Sequence, residues 1–291
     1  MNLGIISDQI NLDLETAIQI IKEQGYETIE IHSIMNKPVE CLTIPQAKQV
    51  KQLLDSYNIK VSNLATTIFF LCPLYEQDQV SLFNDSFHCI KGNIQQHLEA
   101  LENACQIANI LESPKLRIFP FRFPDNRKPP FGTQKDMEQI SQYIKQACRI
   151  ASKYNCELLL ENCPYSHCPK GKMTYKLLQM CECDNLKLLW DPANSYRAIQ
   201  NQVESQYLKE ALLEECELIY PYIGHIHIKD YHYDSSQIKP FIHKPIYEGD
   251  IQFDEIFSYL KSKSYSYTLS LEPEVSFQES ILCMKTLKEK V

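Results

Sequence analysis

Eight times along the chain a short apolar run is followed by an amphipathic stretch, and this alternation limits the fold more than any other feature. The runs are LGIIS (3–7), TIEIHS (28–33), KVSNLAT (60–66), KLRIFPF (115–121), ELLLEN (157–162), LKLLWD (186–191), YIGHIHIKD (222–230) and YTLSLEPE (267–274). Helices are expected over residues 13–24, 43–57, 85–109, 134–154, 172–182, 203–218, 253–262 and 277–290. Strands that alternate with helices imply a parallel sheet, and eight such units suggest closure into a barrel. No Ser/Gly-rich linker divides the units, so one α/β domain spanning residues 1–291 is expected. An open doubly wound sheet would more often show a Gly-rich phosphate loop after an early strand. None is present, and the chain has only 7 glycines. Gly25, Asn58, Asn155 and Asn185 stand at helix-to-strand junctions. They are expected to take the left-handed conformation that ends a helix.

Charge narrows the partners. A net charge of -8 and a pI near 5.5 disfavour duplex nucleic acid and anionic membrane, both of which select basic surfaces. No apolar run reaches membrane-spanning length, and the first residues have neither a basic segment nor a long apolar one, so a cytoplasmic protein is expected. The 12 cysteines include no C-x-x-C pair, which points to reduced, packed thiols rather than a zinc site or disulfide framework.

The strand ends carry the chemistry. A carboxylate at the end of an apolar strand needs a partner, a cation or water, and ELLLEN ends in Glu161. Asp191 ends the sixth run, His227 lies in the seventh and Glu272 in the eighth. Side chains alternate across a strand. Glu161 opposes Leu160, Asp191 opposes Trp190, His227 opposes Ile226 and Ile228, and Glu272 opposes Leu271. With the apolar partners facing the helices, the four polar groups point into the barrel mouth. Glu30 and His32 share that parity. Three acids and an imidazole in one mouth require positive charge. One divalent metal ion satisfies them, with Mn²⁺, Mg²⁺ or Co²⁺ suited to the oxygen-rich set and Zn²⁺ admissible. Ion pairs with Lys229 or Arg117 are the alternative.

In order along the chain, LRIFPF, LLLEN, LLWDPAN, HIHIKD, YEGDIQFDEIFSYL and SLEPE resemble the sugar phosphate isomerase/epimerase superfamily of xylose isomerase-like TIM barrels. The resemblance implies a (β/α)8 TIM barrel that acts on a sugar, sugar phosphate or related polyol as an isomerase or epimerase. It implies that Glu161, Asp191, His227 and Glu272 hold one divalent metal, and that Glu161 and Glu272 move the proton as acid and base. Lys229 is the candidate to neutralise an enediolate oxygen. His32, His167, Asn194 and Lys229 are the expected substrate contacts. Two positions depart from the pattern. Asn194 stands where many relatives have a histidine, and His167 where ketose epimerases often have a glutamate, so the sugar itself stays open.

Other features carry less. The proline-rich loop FRFPDNRKPPFG (121–132), with Arg122, Arg127 and Lys128, reads as a lid or a solvated loop. His88 and His97 read as helix-surface residues. Phe69, Phe70, Leu71 and Tyr75 line the mouth or pack a loop. The partner expected is a small sugar-like molecule, and a homo-oligomer is compatible with the sequence. The rival readings are an endonuclease IV-like abasic-site nuclease, for which HIKD (227–230) carries part of the signature, an inosose dehydratase or hydroxypyruvate isomerase on the same site, and a non-catalytic sugar-binding barrel.

Overall fold

The computed structural model describes residues 1–82, 87–198, 203–208 and 211–291. Eight strands form one parallel sheet: β1 (Asn2–Ile5), β2 (Thr28–Ile31), β3 (Lys60–Ile68), β4 (Lys115–Ile118), β5 (Glu157–Glu161), β6 (Leu186–Trp190), β7 (Ile223–Ile228) and β8 (Thr268–Leu271). Pairing runs β1–β8–β7–β6–β5–β4–β3–β2. A parallel bridge between Ile6 and Glu30 brings the two ends of the sheet together. The result is a nearly closed eight-stranded barrel with its helices outside.

The outer layer contains α1 (Leu14–Glu23), α2 (Ile44–Ser56), α3 (Ile94–Ile110), α4 (Gln134–Lys153), α5 (Gly171–Cys181), α6 (Pro192–Arg197), α7 (Leu212–Ile219), α8 (Phe253–Ser262) and α9 (Phe277–Lys290). Local chemistry sets several of their starts. Thr43 with Gln46, Asn93 with Gln96, Thr133 with Asp136 and Ser276 with Glu279 form reciprocal caps, each cap being worth about 1 kcal/mol. Gly25, Asn58 and Asn155 do take positive φ at helix ends. Asn185 does not. Glu182 is the left-handed residue after α5, and Asn185 instead donates its side-chain amide to the Cys148 and Cys156 carbonyls.

The main core lies between barrel and helices, and it bears out the alternation. Leu158, Leu160, Leu188, Trp190, Ile226, Ile228, Leu269 and Leu271 belong to it. Leu159 and Leu189, of opposite parity, are just as buried but stand apart from that cluster, on the inner face of the barrel. All twelve cysteines are free, and most are buried. Among the described residues no helix is long and apolar enough to cross a membrane.

Several expected elements shift. The helix expected over 85–109 starts only at Ile94, after its Asn93 cap; residues 85–86 of that stretch lie outside the described residues. In place of one helix over 203–218 there is a short 3-10 turn at Ser205–Tyr207 and then α7, with 209–210 outside the described residues. A β-hairpin after β7, formed by Asp230–Tyr233 and Phe241–Lys244, was not expected. Neither was α6, which begins immediately after Asp191.

Candidate metal centre

The C-terminal ends of β5 to β8 bring Glu161, Asp191, His227 and Glu272 together. One ligand-type atom from each of the four lies within 4.8 Å of all the others. Three of the side chains are fully buried, and Glu272 is the most open, with 15% of its side chain exposed. It is therefore the member of the set that meets the cavity most directly.

Asp191, Glu161 and His227 each have one atom held by the protein and one turned inward. Asp191 caps α6: its Oδ1 accepts from the Asn194 backbone N–H at 2.9 Å, while Oδ2 faces the mouth. Pro192 follows at the first helical position, where its missing N–H costs nothing. The Asn162 amide locks this turn onto β5, with Oδ1 accepting from Asp191 N–H and Nδ2 donating to the Asp191 carbonyl, both at 2.8 Å. Glu161 gives Oε2 to Arg117 Nη1 at 3.1 Å and turns Oε1 toward His227 Nδ1 at 3.4 Å. Glu272 Oε2 lies 3.5 Å from the same nitrogen. On the other side of the ring, His227 Nε2 is 2.8 Å from Glu30 Oε2. A carboxylate there accepts a hydrogen bond from Nε2–H and so turns Nδ1 toward the acids, the orientation a metal-ligating imidazole requires. Nδ1 is buried and makes no hydrogen bond of its own among the described residues.

The electrostatics show how unbalanced the mouth is. Burial, reinforced by the nearby Glu272 and Glu161 against the pull of Lys229, raises Asp191 to about 6. Burial also opposes charge on Glu272, but Lys229 and His227 outweigh it and hold that carboxyl well below its usual range. Burial disfavours charge on His227 as well. Glu30 and Glu272 overcome it and raise the imidazole well above its ordinary value. The set thus draws in positive charge from every available source. A buried imidazole nitrogen aimed at two carboxylates, with a third carboxylate behind the ring, fits a divalent cation that replaces the proton with mixed oxygen and nitrogen ligation.

The ion pairs considered from the sequence are present too. Lys229 Nζ lies 2.6 Å from Glu272 Oε2, 3.0 Å from Asp191 Oδ2 and 3.5 Å from Glu274 Oε2. Arg117 also reaches Glu272 at 3.7 Å. Asp230 is not a partner of Lys229. It accepts from the backbone N–H groups of Tyr231, Tyr247, Gly249 and Ile251 at 2.9–3.3 Å, so it shapes the loop after the hairpin. Gly249 is needed there, since a Cβ would come within 2.2 Å of the Asp230 carboxylate.

A cavity opens beside the four side chains, lined among others by Arg117, Glu161, Asn194, Lys229 and Glu272. Asn194 donates to Glu161 Oε1 at 3.3 Å and to the Asn162 carbonyl at 2.9 Å. His32 lies on an adjoining depression with Glu272 and Glu274. Its Nδ1 is 2.8 Å from Asp8, and its ring stacks on Phe87 at 4.8 Å.

His167 differs from expectation. It is fully buried, its Nδ1 accepts from Gly132 N–H at 3.2 Å and lies 3.5 Å from Asp136, and it does not line the cavity. The backbone turns it away: His167 N–H donates to the Phe121 carbonyl, which directs the side chain to the start of α4. His97, expected at the surface, is fully buried. Its Nδ1 accepts from Phe69 N–H at 3.0 Å and its Nε2–H donates to the Leu71 carbonyl at 3.3 Å. Of the aromatic stretch after β3, Phe70 lines the mouth, whereas Phe69 turns inward to stack on Phe121 at 4.8 Å. The 121–132 loop is pinned, with Arg127 held 2.9 Å from Asp78 and 3.3 Å from Asp136.

Glu30, Asn162 and the hairpin residues Tyr231 and His243 are the site components that sequence reasoning missed or left unassigned. Glu30 had the right parity. Asn162 directly follows a ligand.

Fold and mouth together define a (β/α)8 barrel with an acidic, histidine-containing centre at the C-terminal ends of its last four strands. The chain belongs to the xylose isomerase-like TIM barrel family, whose model matches residues 18–287. Solved structures of similar fold include the probable 3-DHS dehydratase AsbF from Bacillus anthracis, 17% identical with a TM-score of 0.71 over 99% of both chains. D-psicose 3-epimerase from Clostridium cellulolyticum H10 is 12% identical with a TM-score of 0.70, covering 100% of this chain and 99% of that one. A D-tagatose 3-epimerase-like protein is 18% identical with a TM-score of 0.68, covering 100% and 97%. At these identities the likeness is one of fold. No curated protein sequence matches the chain significantly.

Proposed function

We propose that the chain is a divalent-metal-dependent isomerase or epimerase that moves a proton on the carbon beside the carbonyl of a sugar-like substrate. The observation that carries this reading is the convergence of Glu161, Asp191, His227 and Glu272 within 4.8 Å, with Glu30 holding His227 Nδ1 toward the acids. Family membership and the sugar epimerases among the structural neighbours support it.

Asp191 and His227 serve only to hold and orient the ion, because a helix cap and a buried carboxylate restrain them. A bound divalent ion supplies Lewis acidity, which polarises a substrate carbonyl and acidifies the neighbouring C–H. Glu161 ends β5 and Glu272 follows β8, with β6 and β7 between them, and the two reach a substrate carbon from different sides. One carboxylate takes the proton and the other returns it. Lys229 holds Glu272 ionised and ready to accept, and Arg117 fixes Glu161 through its Oε2. The Lys229 ammonium is also the group placed to neutralise negative charge on the substrate oxygen.

The test is proton exchange. Protein loaded with Mn²⁺, Mg²⁺ or Co²⁺ is incubated with ketoses, aldoses and sugar acids in deuterated water and followed by NMR. Deuterium is expected beside the carbonyl of at least one substrate. Glu161→Gln and Glu272→Gln are each expected to slow the exchange by about 10²–10⁴-fold while the fold persists. Absence of exchange with every sugar by metal-loaded protein removes the proposal.

A further inference from the structure

The mouth holds three buried or half-buried cations, and two of them are neutralised: Arg117 by Glu161 and Glu272, and Lys229 by Asp191, Glu272 and Glu274. Arg197, at the end of α6, has no carboxylate within ion-pair distance among the described residues. Its guanidinium lies between two rings that also line the cavity, 4.8 Å from the centre of Tyr165 and 5.5 Å from that of Tyr231. Nη1 donates to the Tyr231 hydroxyl at 3.3 Å and Nη2 to that of Tyr165. Nε is buried with no hydrogen-bond partner. A guanidinium has five donors in a fixed fork, so most of its capacity is unused. A desolvated cation with idle donors is costly unless an anion completes it.

We propose that Arg197 is the subsite for a carboxylate on the substrate, so that the sugar-like molecule processed here is a sugar acid and not a neutral ketose. The inference rests on the reading of the mouth as a sugar site. The two rings fix the plane of the fork, and Arg197 lines the cavity, where a planar anion meets it. The Tyr231 hydroxyl accepts from Arg197 and keeps its own proton to donate. One charge and one flat fork match a monocarboxylate. The hairpin after β7 builds this end of the mouth, since it carries Tyr231 and also His243, whose ring packs 4.4 Å from that of Tyr231. Arg197 is thus a specificity-determining residue separate from the metal ligands.

Calorimetric binding of D-fructose, D-fructuronate and D-fructose 6-phosphate to the full chain with Mn²⁺ tests the assignment, with D-galactose, D-galacturonate and D-galactose 6-phosphate as a second set. At least one acid is expected to bind at least 10-fold more tightly than its neutral counterpart. Arg197→Gln is expected to abolish that preference without changing affinity for the neutral sugar or for Mn²⁺, and Arg197→Lys to retain part of it. Equal affinity for acid and neutral sugar, no binding of either acid, a preference that survives in Arg197→Gln, or an equal or larger preference for the phosphate each overturns the proposal. Mn²⁺ titration without sugar separates the two readings: loss of metal binding in the wild type undermines the mouth as a whole, whereas metal binding without carboxylate preference removes only the role of Arg197.

Discussion

A single carboxylate, Glu30, decides which nitrogen of His227 faces the mouth. It is fully buried in β2, 2.8 Å from His227 Nε2, and it also pairs with His225 and accepts from Asn63 at 3.1 Å. Burial opposes its charge, but the two histidines outweigh that cost and hold its carboxyl below the usual range. A glutamine there donates as readily as it accepts, so it no longer dictates the tautomer. Glu30→Gln is therefore expected to weaken Mn²⁺ binding by about 10–100-fold, as loss of such an outer partner commonly does, with only a modest change in stability. Calorimetric titration checks this, and an affinity within twofold of wild type removes the role. Residues differ in how legible they were. The parity of Glu30 placed it correctly, but parity does not say which neighbour a side chain meets, because that depends on the stagger between strands far apart in sequence. Asp191 and Asn194 carried a local signal of a helix start, the D-P-A-N cap, that went unread in the sequence. His167 could not be placed, because a backbone bond from Phe121 steers it.

At the scale of elements, most of the long periodic segments were legible, because one buried face imposes a period of 3.6 or 2 along the whole segment. The hairpin at 230–244 was hidden because its strands have four residues each and are largely open to solvent on the second half, so no apolar alternation marks them. The start of α3 was hidden for the opposite reason: Phe87 and Cys89, before Asn93, pack against the small cluster of Phe70, Leu71, Phe119 and Cys163 and not along a helix face. His97 joins α3 to the end of β3, where Phe69 sits at φ 66, a left-handed position that costs an ordinary residue about 1 kcal/mol. Its two bonds to the 69–71 backbone help to hold that turn. Burial pushes the imidazole down to about 4, against an ordinary 6.5. Between those pH values the unfolded chain binds a proton that the native state does not. Stability therefore falls as pH drops from 6.5 towards 4, by about 3 kcal/mol from this group, and changes no further below 4. His97→Asn keeps an acceptor near Phe69 N–H and has no titrating ring. Urea denaturation at pH 7 and pH 4.5 should show a smaller pH effect in the variant. An unchanged difference removes the assignment.

For the whole molecule, the barrel places the four candidate ligands at the ends of four consecutive strands, β5 to β8, while the sheet closes on the far side through the bridge between Ile6 and Glu30. Glu30 belongs to both regions, since its backbone makes the closing bridge and its side chain holds His227. The ligand centre and the seam of the barrel are thus mechanically joined, and an ion that binds only the assembled mouth must stabilise the entire fold. Linkage sets the size of the effect. At an Mn²⁺ concentration 100 times the dissociation constant, the native state gains about 2.7 kcal/mol, which for a chain of this size raises Tm by roughly 5 °C. Chelation should reverse the gain in one cooperative transition, because the ligands belong to a single domain. Asp191→Asn removes a ligand charge but keeps the α6 cap oxygen, so it should fold while losing most of the Mn²⁺ response. Scanning calorimetry of wild type and variant across an Mn²⁺ series checks both statements. A Tm in the wild type that does not depend on Mn²⁺, or an equal response in Asp191→Asn, leaves the four strand ends as a network of ion pairs around Lys229 and Arg117, with no metal centre.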